Sequence, residues 1–134
     1  LSMIIVQKQN IEIAEQFVAI AQRALESKKR SDTVRAAACL AVEEALCHSL
    51  RCLYECDTNS PCPGDAVSAW YNMPLSHRDL LPVELEAQLD DAIRVLESMH
   101  VNGFYGDFSL SPEEALSFLL HTCQGLISFL TPEK

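Results

Sequence analysis

Apolar residues recur along this chain at three- and four-residue steps rather than at alternate positions, which predicts helices and no sheet. From about Met3 to Lys29, Val6, Ile13, Phe17, Ile20 and Ala24 fall near the 3.6-residue period and predict an amphipathic helix built on that stripe. Lys28-Lys29-Arg30 ends it, where cations oppose the negative pole of the helix dipole. Ser31-Asp32 offers the cap of a second helix, Thr33 to about Cys56. Its Ala36, Ala37, Ala38, Ala41 and Ala45 let a neighbouring helix approach closely.

The stretch 57–64, with Pro61, Pro63 and Gly64, breaks the pattern. A short helical piece follows from Asp65 to Tyr71, and Pro74 to Leu80 reads as a turn. Pro82 suits the first turn of a third long helix reaching about His100, with Leu85, Leu89, Ile93 and Leu96 as its apolar stripe. Asn102-Gly103 and Gly106-Asp107 punctuate a loop. In the last helix Ser111 caps, Pro112 takes the first position and Glu114 completes a capping box. Ala115, Leu119, Thr122, Leu126 and Phe129 or Leu130 point inward, and Thr131-Pro132 ends the helix. Four long helices and a short one predict an all-α, up-and-down four- or five-helix bundle, a single domain over residues 1–134.

Charge divides the chain. The formal net charge is −9, which argues against a constitutive nucleic-acid binder. Residues 1–51 hold 7 basic and 6 acidic side chains, a net of +1, whereas residues 52–134 hold 3 and 13, a net of −10. A polyanion would therefore prefer the first half, around Lys28, Lys29, Arg30 and Arg35. Leu1 to Val6 is too short for a secretory signal. The uncharged stretch Ala115 to Pro132 contains His121, Thr122 and Gln124 and reads as a core helix, not a membrane span. Four of the six cysteines, Cys39, Cys47, Cys52 and Cys123, sit inside helical patterns, so reduced and buried thiols in a cytoplasmic protein are expected.

The segment Arg35-Ala36-Ala37-Ala38-Cys39-Leu40-Ala41-Val42-Glu43-Glu44-Ala45-Leu46 resembles the second helix of the HEPN domain family, where a small-residue run precedes Ala-Val-Glu-x-Ala-Leu. Ser76-His77-Arg78-Asp79-Leu80-Leu81 is similar to that family's Thr/Ser-His-Asp-Leu turn, with Arg78 as one extra residue. Phe104-Tyr105-Gly106-Asp107, followed by Ser111-Pro112-Glu113-Glu114-Ala115, resembles its tyrosine-bearing loop and closing helix. The resemblance implies a small helical domain of one of two kinds. Some members are metal-independent ribonucleases, often toxins, with an Arg-x4–6-His motif. Others lack that activity and partner a small nucleotidyltransferase or bind a nucleotide or another ligand. It also implies a homodimer.

Arg94-Val95-Leu96-Glu97-Ser98-Met99-His100 is an Arg-x5-His on the third long helix, where the family places its motif. Cleavage of RNA by its 2′-hydroxyl needs an acid or base that titrates near neutrality, which His100 supplies. It also needs a fixed cation against the phosphorane charge, which Arg94 supplies. Six residues turn a helix by roughly 600°, so the two side chains point about 120° apart and lie about 9 Å apart along the axis. A two-fold dimer would bring both copies around one cleft. Against this stand Val95, where active members carry a polar residue, the neighbours Asp90, Asp91 and Glu97, and the place of His100 on the apolar stripe after Leu96.

His77 and Asp79 either line a ligand pocket, with Tyr105 added by the resemblance, or cap the next helix. Trp70-Tyr71 either stacks on a base or plugs one end of the bundle. His48, Cys52 and Cys56 at i, i+4 and i+8 span about 12 Å, too long for one ion. Cys52, Cys56 and Cys62 are a conceivable zinc set, with ordinary thiols near a helix end as the simpler reading. Glu97-x-x-His100 lacks the second copy that a di-iron bundle requires. No metal and no cofactor are expected. The first expectation is a homodimeric accessory module that binds a nucleotide-type ligand, a nucleotidyltransferase or an antitoxin-type protein. The alternatives are a ribonuclease using Arg94 and His100, with RNA as substrate, and a helical interaction domain without a ligand.

Overall fold

Four of the helices predicted from spacing alternate in direction, and two short ones bridge the middle. The computed structural model describes residues 5–27, 31–56, 62, 64–102 and 111–131. In order these form α1 (Ile5–Glu26), α2 (Asp32–Tyr54), α3 (Ala66–Tyr71), α4 (Leu75–Arg78), α5 (Val83–Asn102) and α6 (Pro112–Leu130). No strand occurs among the described residues.

The helix starts follow local chemistry. The Ser31 side chain accepts from Val34 N–H, and Asp65 accepts from Ser68 N–H, so each satisfies a donor with no partner inside its helix. Ser111 and Glu114 form the full capping box with Pro112 at the first position. The segment read as a simple turn, Pro74 to Leu80, is instead one turn of helix, with His77 and Arg78 N–H both donating to the Pro74 carbonyl. Proline supplies that start because its fixed φ and missing N–H suit a helix's entry.

α1 and α2 run antiparallel and pack along their length, α6 lies against both, and α5 packs on α6 and α3. Arg35 Nε donates to Glu113 Oε1 at 2.9 Å and ties the start of α2 to the start of α6. Leu85 near the start of α5 meets Gly125 near the end of α6, so these two are antiparallel. The core is filled by Val42, Leu46, Leu50 and Leu53 of α2, Leu89, Ile93 and Leu96 of α5, and Leu116, Leu119 and Leu126 of α6. Thr122 of α6 is buried as expected, and Leu130 rather than Phe129 is the fully buried side chain at its end.

The stripe expected on α1 is corrected. Ile13 and Ile20 are 40% and 48% exposed, Phe17 and Ala24 are half-buried, and the buried face is Asn10, Ile11, Ala14, Val18 and Ala21. Ala14 and Ala21 are fully buried, as are Ala38 and Ala45 of α2. Small residues on both helices bring the backbones close, so the face that goes inward is chosen by fit rather than by hydrophobicity. The Val6 side chain lies outside the described residues. His48 of α2 stacks on Phe17, ring centroids 6.1 Å apart, with Nδ1 3.0 Å from Asn10 Oδ1. Burial, then the nearby Arg51 charge, holds the His48 pKa below its ordinary value. No described helix is long and apolar enough to cross a membrane.

Candidate functional site

The junction of α3, α4 and α5 carries the densest set of polar contacts around a buried aromatic ring. Trp70 is wholly buried near the end of α3, and its indole Nε1 donates to Asp90 Oδ1 of α5 at 2.7 Å. Arg78 of α4 lays its guanidinium over the Trp70 ring, 4.0 Å from the centroid. The same side chain donates from Nη2 to the Trp70 carbonyl at 2.8 Å and sits 3.7 Å from Asp90. Arg, Trp and Asp thus form a closed triangle that fixes α4 onto α3 and α5. Of the two readings of Trp70-Tyr71, the plug describes Trp70. Tyr71 is exposed, and its hydroxyl donates to Glu97 of α5. That hydrogen bond, chiefly, raises the phenol's pKa.

His77 and Asp79, two residues apart, take different environments. His77 is 8% exposed, and its buried Nδ1 has no hydrogen-bond partner among the described residues. Asp79 is exposed and closes α4, its N–H donating to the Leu75 carbonyl. Tyr105 lies outside the described residues, so the third expected ligand-binding residue stands unplaced.

α5 carries the Arg-x5-His segment as continuous helix, as the spacing predicts. The Arg94 side chain is 72% exposed and lies 3.6 Å from Asp91. Glu97 follows one turn later, Asp90 precedes by one turn, and the Tyr71 hydroxyl feels both the Arg94 charge and these carboxylates. Arg94 therefore sits in an acidic surface. The His100 side chain lies outside the described residues, so its distance to Arg94 is not part of this geometry.

All six cysteines are thiols outside any disulfide; Cys47, Cys52 and Cys123 are buried and Cys39, Cys56 and Cys62 half-buried. Burial pushes Cys52 and Cys123 up to about 12, and Cys39 and Cys62 up to about 11. Such thiols hold their protons at neutral pH and make poor nucleophiles. Among the described residues no group of three or more His, Cys, Asp or Glu is arranged to hold a metal ion.

Arg78 was visible in the sequence only as an additional residue in a turn. Its partners lie eight and twelve residues away on two other helices, beyond any local spacing rule. The exposed face of α1 was likewise hidden by a stripe of the right period. Compared with family models, with curated proteins and with solved structures, the chain gives no match.

Proposed function

We propose that this chain is a HEPN-like accessory module that acts as a homodimer and binds a partner without chemistry of its own. The partner is a small nucleotidyltransferase, an antitoxin-type protein or a nucleotide-type ligand, and the expected setting is the cytoplasm. The observation that carries this reading is the surroundings of Arg94. Asp91 lies 3.6 Å from its guanidinium, with Asp90 and Glu97 on the same helix. A phosphate of RNA approaching Arg94 meets the Asp91 carboxylate that already pairs with it, and Glu97 one turn on, which offset the attraction of one cation. The His77 turn supports the same reading, because Arg78 and Trp70 use it to join three helices.

The test is metal-free cleavage of a structured RNA by the wild type, Arg94→Ala and His100→Ala. The expected result is no turnover in any of the three. Cleavage by the wild type that both substitutions abolish would replace this reading with the ribonuclease one. A parallel titration with ATP, followed through the fluorescence of Trp70, separates a nucleotide ligand from a protein partner.

A further inference from the structure

α1 shows solvent an apolar face that its own fold leaves uncovered. Ile13 and Ile20, two turns apart, are 40% and 48% exposed, with half-buried Phe17 between them. Helical spacing turns both isoleucines away from the buried Ile11–Ala14–Val18 side. On the neighbouring helix Leu40 is 64% exposed. It projects opposite Val42 and Leu46, again away from the core. The outer side of the α1–α2 hairpin thus presents three large aliphatic side chains in the half of the chain whose net charge is +1, not in the half that carries −10. Two chains of net charge −9 repel one another, and this half is where they approach at least electrostatic cost.

The charges beside the stripe show what fits it. Glu12, Gln16 and Arg23 are neighbours on one flank of Ile13 and Ile20, by their spacing on the helix. Glu12 and Arg23 are both exposed and lie at opposite ends of the stripe. Consider a second copy of α1 laid antiparallel about a two-fold axis, so that Ile13 of each faces Ile20 of the other. A two-fold axis of this kind keeps the polar flanks on the same side. Glu12 of one copy then falls within two residues' rise, about 3 Å along the axis, of Arg23 in the second copy. Gln16 meets Gln16 at the centre. Glu12 and Arg23 of each copy thus meet an opposite charge, and a two-fold contact requires this kind of self-complementarity.

We propose that the outer face of α1 is the surface on which a second copy of this chain docks antiparallel. The proposal rests on the homodimer reading above and specifies where that contact is made. It also has a consequence for Arg94. α5 packs on α6 and α3 and not along α1, so a dimer joined through α1 leaves the two Arg94 side chains outside the contact.

The experiment is sedimentation velocity on the full chain across a concentration series, with helical content and melting followed by circular dichroism. The wild type is expected at dimer mass. Ile13→Glu with Ile20→Glu is expected at monomer mass with unchanged helicity, its dissociation constant raised about 30-fold or more. A second pair of variants tests the orientation independently of the apolar stripe. Glu12→Arg alone and Arg23→Glu alone each weaken the dimer about threefold or more, and the two together restore it. A wild type that stays monomeric throughout the series overturns both the homodimer and this surface. A dimer that survives Ile13→Glu with Ile20→Glu, in folded protein, overturns the surface and leaves the homodimer standing elsewhere. Failure of the double charge reversal to recover affinity overturns the antiparallel arrangement.

Discussion

Asp90 holds the buried indole of Trp70 and, at longer range, the Arg78 guanidinium that covers it. A buried N–H without an acceptor forfeits its hydration with nothing in return. Asp90→Ala is therefore expected to destabilise the protein by about 1–3 kcal/mol, read from urea denaturation. Trp70 is the only tryptophan, so its fluorescence reports this site alone, and Asp90→Asn, which keeps an acceptor oxygen, is expected to lose less. Equal stability of Asp90→Ala and wild type would show that the contact is dispensable. At this scale the sequence offered a buried Trp70 as one of two readings and did not show its partners, since Asp90 is 20 residues away on another helix.

Among the elements, α1 separates helix formation from helix orientation. Its period identifies a helix, while two apolar faces compete for the core: Ile13–Phe17–Ile20 and Ile11–Ala14–Val18–Ala21. The second goes inward because alanines on α1 and α2 let the helices close up. Ala21→Leu should therefore overpack the contact at a cost of about 1–3 kcal/mol. Ile20→Ala, measured at a concentration low enough to keep the chain monomeric, should change stability by less than about 0.5 kcal/mol. Thermal melts of the two variants check this, and the reverse order would restore the stripe read from spacing. The capped starts, by contrast, were legible in advance. Ser31 and Ser111 cap where the sequence places them, because a cap is satisfied by groups within three residues.

For the molecule as a whole, the buried thiols set a limit at high pH. Cys52 and Cys123 ionise near 9.0 when unfolded but are pushed up to about 12 in the fold, chiefly by burial. Below pH 9 both states keep these protons and the thiols contribute no pH dependence. Above it the unfolded chain releases protons that the folded chain retains, so unfolding gains and stability falls progressively from pH 9 toward 12. Urea midpoints between pH 7.5 and 10.5 are expected to drop across that window, with a shallower drop in Cys52→Ala and in Cys123→Ala. An identical slope in the variants would remove the thiols as the cause. The Arg-x5-His segment belongs to this scale too. Its helix was legible, but the value of Arg94 depends on the acidic surface around it and on what a second copy covers.

The sequence by itself determined the all-α class, the order of the long helices and most of their ends, because periodicity and capping act over a few residues. It also determined the split of charge into a half of +1 and a half of −10. Only the tertiary structure decided which face of α1 is buried, that Arg78 clamps Trp70 and Asp90, and that His77 is enclosed while Asp79 is not. These depend on close packing and on partners from distant parts of the chain, and such contacts exist only once the helices have met.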